Sequence, residues 1–263
     1  MTARAVVVTG TSTGIGAATV SALRQRGFTV YAGTREWLDV TNADHIAAAV
    51  RKIRDAGVPL VGLVNNAGVA FGGPLETLPP GELRAQFDVN VIGTLAVTQA
   101  FLPLLREAAP SRIVFVGSIA GRIAMPYLAP YGASKFALRA LADALRLELA
   151  PSQIGVCLIE PGSVATPIWR KGFAQLDAAR ARLSARAPGY YRSAIDAVMR
   201  ATASEERTGM PPERVAGAIV RALTARRPKA HVILGAPARL GALLALLPPS
   251  LHDRFLRATM RLP

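Results

Sequence analysis

A chain of 263 residues, 51% of them hydrophobic, with a mean hydropathy of +0.30, is long enough to bury a large core and too apolar to be disordered. The single cysteine, Cys157, excludes a disulfide framework and lies in the apolar run IGVCLIE, which suits a buried, inert thiol in a reducing compartment. The formal net charge of +14 comes mostly from arginines spread along the chain without interleaved aromatics, a pattern that points away from nucleic acid and leaves attraction of anionic cofactors or membrane surfaces open.

Only Met1 to Arg4 precede the first predicted strand, which leaves no length for a leader and makes the cytoplasm the expected location. No apolar run is expected to reach the length of a membrane span. AVVVTG is short, β-branched and continuously apolar, as a strand buried on both faces requires. GIGAATVSALRQRG places Ile15, Val20 and Leu23 at helical spacing and closes on Gly27, a C-cap residue. FTVY is a second strand, residues 44–56 form a helix with Asn42 as its N-cap, and LVGLVNNAG is a third strand. LRAQFDVNVIGTLAVTQAFLPLLREA reads as one long helix, RIVFVGS as a strand, SKFALRALADALRLELA as a helix, and IGVCLIEPG as a strand stopped by a Pro-Gly turn.

From 163 to 210 the regularity is lost. Turn residues, Trp169, Phe173, Tyr190 and Tyr191 interrupt short helical patches there, as in an insertion over a site. PPERVAGAIVRAL is again a helix, AHVILG a last strand, and the tail over 236–263 is apolar and then amphipathic. The alternation of strand and helix predicts one α/β domain over 1–263 with a parallel sheet covered on both faces.

The candidate chemistry collects at the strand ends. Gly10, Thr11, Ser12, Thr13, Gly14, Ile15 and Gly16 form a glycine-rich turn from strand to helix, where the backbone can approach a pyrophosphate and a helix N-terminus meets its charge. Taken alone, such a turn is as readily an ordinary strand-to-helix connection. Asn66, Ala67 and Gly68 end the third strand at the same carboxyl edge, and Ser118 ends the fourth. Tyr131 and Lys135 open a helix four residues apart, on one face. A neighbouring ammonium favours the phenolate and brings a group whose ordinary pKa is about 10 towards a useful range. No metal-ligand spacing is present.

TGTSTGIG, NNAG, the Asn90 of FDVN, Ser118, YGASK and Pro161-Gly162, in this order from about Ala5 to Gly235, resemble the classical short-chain dehydrogenase/reductases. The resemblance implies a Rossmann-like doubly wound sheet and an oxidoreductase passing hydride between a nicotinamide cofactor and a secondary alcohol or ketone. It implies Tyr131 as acid/base, Ser118 as the group that holds the substrate oxygen, Lys135 as the modulator of Tyr131 and binder of the nicotinamide ribose, and Asn90 as holder of a water that links Lys135 to solvent. Tyr131, Lys135, Pro161, Gly162, Val164 and Thr166 would contact the cofactor, Thr166 through the carboxamide. A homodimer or homotetramer is implied as well.

In that family a helix and a strand separate the second strand from the LDVT segment; here AGTREWLDVTNAD leaves no length for them. A residue spans at most about 3.6 Å, so Glu36 and Trp37 cannot carry the chain back along a strand of about 17 Å. The steps from Thr34 to Asp39 cover up to about 18 Å, enough to pass along the carboxyl edge. The expectation is a sheet that lacks the usual third strand and the helix before it, with Asp39 and Val40 still near the adenine. Thr34 stands where an acid for the NAD ribose is usual and Arg35 where a 2′-phosphate would lie, which favours NADP. Glu36 could take the ribose role in a rebuilt loop, which keeps NAD open.

Met125, Tyr127, Leu128, Trp169 and Phe173 flank the site and suit a hydrophobic alcohol or ketone, either as pocket walls or as lid core. ATPIW and the apolar tail resemble, more weakly, the branch with retinol and 17β-hydroxysteroid dehydrogenases, so a steroid-, retinoid- or lipid-like substrate is implied. Leu251 and Phe255 share one face of the tail, with Arg254, Arg257 and Arg261 on another, which fits packing on the body or a partner, or peripheral membrane contact. Two other readings stay open at this level: an NAD(P)-binding regulator or redox sensor, and a degenerate relative whose shortened edge has lost the cofactor.

Overall fold

A computed structural model describes residues 3–168 and 189–260, with 177, 178, 180, 181 and 183 between them. Six strands, β1 (Ala5–Thr9), β2 (Thr29–Gly33), β3 (Leu60–Asn65), β4 (Ser111–Val116), β5 (Ile154–Pro161) and β6 (His231–Leu234), pair in the order β2-β1-β3-β4-β5-β6. Every pairing is parallel. The order reverses between β1 and β3, so the crevice for a ligand opens there, beyond the carboxyl ends of those two strands.

Alternate residues of the strands feed two cores. Val7, Leu63, Ile113 and Phe115 face α2 (Ala43–Asp55), α3 (Pro80–Glu107) and α4 (Ala129–Glu148), meeting Ile53, Phe101, Leu105 and Leu138. Val6, Val8, Val64, Val114, Cys157 and Ile159 face α1 (Gly14–Arg24) and α6 (Pro212–Thr224), meeting Leu23, Val215 and Ile219. Double-sided burial explains why the strands read as unbroken apolar runs. As expected, Asn42 caps α2, accepting from the Asp44 and His45 amides at 2.9 and 3.2 Å. The Cys157 thiol is buried, and desolvation, with Glu160 nearby, pushes its pKa up to about 12.

Three expectations need correction. The 28-residue helix α3 is long and apolar enough to cross a membrane by length and composition, but it packs on the sheet and is a core helix here. Its middle, Asp88–Gly93, is wound as a π-helix, a widening the periodicity does not reveal. The end of the 163–210 region is no patchwork: α5 (Tyr190–Thr208) is regular, and Ile195 and Val198 pack with Leu128 and Leu183 in a satellite cluster over the site. Tyr190 and Tyr191, two of the aromatics that looked like interruptions, stand at its first turn. Two further helices, α7 (Ala236–Leu244) and α8 (Pro249–Met260), form the tail.

The shortened segment passes directly along the sheet edge. Residues 34–42 hold turns and no strand, with the amides of Trp37 and Leu38 donating to the Thr34 carbonyl at 3.2 and 2.7 Å. Leu38 and Val40 then plunge into the core, 2% and 5% exposed. Trp37 stacks on Tyr31, centroids 6.3 Å apart, and the Lys52 ammonium lies 5.4 Å from the indole centroid. Tyr31 and Trp37, both partly buried, pack against the core at this edge.

Candidate active site

The crevice is built from the β1 and β3 ends. Gly10 has φ +68°, and a Cβ there would lie 2.6 Å from Ala67 Cα, so only glycine lets the two turns touch. Asn66 fastens them: its Nδ2 donates to the carbonyls of Thr9 and Gly10, both at 2.9 Å. The Thr9 hydroxyl accepts from the amides of Asn66 and Ala67 at 3.0 Å each. Thr13 precedes α1 without a side-chain cap, so no side chain of the cap position occupies the first amides of that helix.

Two adjoining cavities follow. The larger, about 420 Å³, is walled by Gly10, Ser12, Thr13, Thr34, Arg35, Leu38, Asp39, Val40, Ala67 and Gly68. The shortened route therefore does bring Arg35, Asp39 and Val40 to the crevice. The Asp39 carboxylate accepts from the Thr41 amide and hydroxyl at 2.9 and 2.7 Å. The Thr41 amide bond is the main cause that holds its pKa below the ordinary carboxylate value, with Arg35 adding to it. Thr11 and Gly16 stand behind this surface. The Thr11 hydroxyl and amide both bond the Gly33 carbonyl, at 3.2 and 3.1 Å, tying the turn to β2. A Cβ on Gly16 would collide with the Gly10 carbonyl. Gly14 abuts Thr166, where a Cβ would come within 2.9 Å of its methyl group. None of these three lines either cavity; each packs behind or beside the turn.

The smaller cavity, about 130 Å³, shares Gly68 with the first and gathers Ile15, Asn66, Ser118, Met125, Leu128, Tyr131, Lys135, Pro161, Gly162, Val164 and Thr166. Ser118 hydrogen-bonds Tyr131, and its oxygen also accepts from the Ala120 amide at 3.1 Å. The Lys135 ammonium donates to the Val116 carbonyl at 2.9 Å and lies 5.7 Å from the Tyr131 ring centroid. Tyr131 and Lys135 are 8% and 5% exposed. Burial is the main cause of both shifts: the phenol is pushed up to about 12 and the ammonium down to about 8. For the phenol, desolvation outweighs the bond from Ser118.

Asn90, in the π-wound segment, places its amide between protein groups. Its Oδ1 accepts from the Val69 amide at 2.9 Å, and its Nδ2 donates to the Val69 carbonyl and the Ser134 hydroxyl at 2.9 and 3.0 Å. Tyr127, with φ +64°, turns away from the cavity and meets Tyr191 edge-on at 6.3 Å, so of the expected wall residues it belongs to the lid core. Trp169 and Phe173 lie outside the described residues.

Sequence reasoning missed two features. Glu205, near the end of α5, lines the smaller cavity and opposes ionisation of Tyr131. Its one signal is an acid in a last helical turn, where the helix dipole disfavours negative charge. Fully buried Glu160 receives two bonds from Arg122, at 2.6 and 2.7 Å. His231 bridges onward to Asp143 at 2.8 Å. This chain of hydrogen bonds braces the turn after Ser118 against the strand that ends in Pro161.

A family model described as short chain dehydrogenase matches residues 37–177. The chain is 41% identical to a 3-amino-tetrahydro-pyrrolizinone reductase of Xenorhabdus hominickii over 65% of each protein. To an NADPH-dependent 3-dehydrocapnine reductase of Ornithobacterium rhinotracheale it is 34% identical over 95% of each. A crystal structure of a short chain dehydrogenase from Burkholderia cenocepacia J2315 in complex with NADP superposes with a TM-score of 0.74 at 27% identity, covering 100% of this chain and 99% of that one. With its motifs, sheet and crevice in agreement, the chain belongs to the short-chain dehydrogenase family and is an NAD(P)-dependent oxidoreductase.

Proposed function

We propose that the chain reduces a ketone on an apolar substrate, of the steroid, retinoid or lipid kind, to the secondary alcohol with NADPH. The observation that carries this reading is the pair of adjoining cavities: the larger is bordered by Arg35, the other holds Ser118, Tyr131 and Lys135. The residues fit the cofactor. The glycine-rich turn and uncapped α1 amides suit a pyrophosphate, Arg35 suits a 2′-phosphate, and Val164 and Thr166 line the smaller cavity, where they would meet the nicotinamide. Bound NADPH supplies the hydride that adds to the carbonyl carbon.

Tyr131, protonated across the neutral range, gives its hydroxyl proton to the carbonyl oxygen while Ser118 donates a hydrogen bond to the same atom. The Lys135 ammonium stabilises the phenolate left behind and returns a proton to it, a task suited to a group that titrates at about 8. Asn90 is a positioning residue that ties the turn after β3 to the helix carrying Lys135. The direction is supported by the raised phenol pKa, which favours an acid over a base, and by two relatives named as reductases.

Fluorescence titration with NADPH and NADH in parallel tests the cofactor. NADPH is expected to bind tighter by about tenfold or more, a preference that Arg35→Ser removes. Binding of neither dinucleotide would mean that the shortened edge has closed the adenosine site, and the reading would fail. NAD as the natural partner would show as a reversed preference.

The same reading places the protein in the cytoplasm as a homodimer or homotetramer. It also includes membrane contact through the tail, supported by exposed Leu240, Leu243, Leu246 and Leu251 beside exposed Arg254 and Arg257. Co-sedimentation with phosphatidylserine vesicles, lost on truncation after Gly235, is the expected result; full-length protein that stays in the supernatant rules that contact out.

A further inference from the structure

The walls of the smaller cavity are mostly apolar: Ile15, Met125, Leu128 and Ile168 surround the Ser118–Tyr131 pair. Among the described residues lining it, Glu205 is the one carboxylate. Nothing in the reduction of a plain ketone needs an anion there. It opposes the phenolate on Tyr131, and an alkoxide developing on the substrate would meet the same repulsion.

The placement is well fixed. The Gly209 amide donates to the Glu205 carbonyl at 2.9 Å. Immediately beyond, the Met210 amide donates to the Ser163 carbonyl at 3.1 Å and the Ala165 amide to the Met210 carbonyl at 3.0 Å. The end of α5 is thereby stitched to the Ser163–Thr166 turn, which lines the same cavity. Glu205 is therefore held towards the reacting groups from a helix end that gains nothing from a negative charge. It already takes part in an interaction within the protein, which an incoming cation would share or replace.

We propose that Glu205 selects the substrate: the pocket takes ketones that carry an amine close to the carbonyl, with the ammonium against the Glu205 carboxylate and the carbonyl oxygen at Ser118 and Tyr131. This rests on the carbonyl reduction proposed above and narrows its substrate class to amino ketones with an apolar remainder, such as an amino lipid, away from neutral steroids and retinoids. The ammonium cancels the charge that opposes the reaction and stabilises the alkoxide as it forms, so the carboxylate disfavours neutral ketones and favours cationic ones. The apolar walls then receive the remainder of the molecule.

The test uses two ketones of nearly the same shape, 2-aminoacetophenone and propiophenone, which differ by an ammonium in place of a methyl group. With NADPH, the wild-type protein is expected to favour the amino ketone in kcat/KM. In Glu205→Gln the ratio of the two values is expected to fall by about tenfold or more, chiefly through KM, as loss of a charge-assisted contact gives. Glu205→Asp, which keeps the charge, should retain part of the preference, and thermal melting of each variant controls for folding. A ratio unchanged by Glu205→Gln overturns the proposal and leaves Glu205 a structural anchor.

A second measurement does not depend on turnover. Binding of 2-amino-1-phenylethanol and of its neutral counterpart 1-phenyl-1-propanol is compared, with and without NADPH, by protein fluorescence. Tighter binding of the amino alcohol, lost in Glu205→Gln, supports the proposal; an amino alcohol that binds no better than the neutral one, or not at all, overturns it. Failure to reduce either ketone would count against the reduction itself, and the two alcohols would still decide the role of Glu205.

Discussion

At the scale of residues, burial shifts the two titrating groups in opposite senses: Tyr131 is pushed up to about 12 and Lys135 down to about 8. Both shifts suit proton delivery. Tyr131→Phe keeps the ring and removes the proton, so turnover is expected to fall by about 10²–10⁴-fold in a steady-state NADPH assay, while the NADPH titration still saturates. If Lys135 returns the proton, the reduction rate should decline as pH rises through about 8. Lys135→Arg, slower throughout, should lose that alkaline limb, because a guanidinium stays charged there. These residues were legible because Tyr-x-x-x-Lys, a strand-end serine and a glycine-rich turn each carry a local signature. Glu205 was not, because its meaning lies in which cavity α5 closes over, and no spacing in the chain encodes that.

At the scale of elements, the shortened edge depends on one contact between distant segments. Gly93 closes the π-wound stretch of α3, and a Cβ there would lie 2.6 Å from the Val40 carbonyl and 2.9 Å from the Asp88 carbonyl. The chain can descend from Leu38 to Thr41 only because that position is bare. Gly93→Ala is expected to cost about 1–3 kcal/mol in urea unfolding, as overpacking does, and to weaken NADPH binding, since Val40 and Asp39 line the larger cavity proposed above for the adenosine. Gly217→Ala is the control: it lies on α6, where a Cβ meets only a flexible arginine end at 3.5 Å. The absence of the third strand was legible from chain length alone. The π-winding and the regular α5 were not, because one is a local widening inside a helix that leaves no mark on the periodicity and the other begins with residues that pattern as turn and aromatic lid.

For the whole molecule, the same burial that tunes the site acts on stability. The unfolded chain holds the Lys135 proton up to about pH 10.4, whereas the folded chain releases it at about 8. Between those values the native state binds fewer protons, so this group's contribution to stability rises with pH, and is lost as pH falls through about 8. Lys135→Met should therefore be more stable than wild type at neutral pH, with the gap narrowing towards about pH 10.4. Urea midpoints at pH 7 and 10 check this; Tyr131 and Cys157, present in both proteins, drop out of the comparison to first order. The compact edge has a practical side too. Trp37 is one of two tryptophans in the chain, stacked on Tyr31 beneath the Lys52 ammonium at the rim of the shortened loop. With Trp169 replaced by phenylalanine it becomes the single indole of the chain, and a change in its emission on adding NADPH is the expected optical sign of binding in the neighbouring cleft.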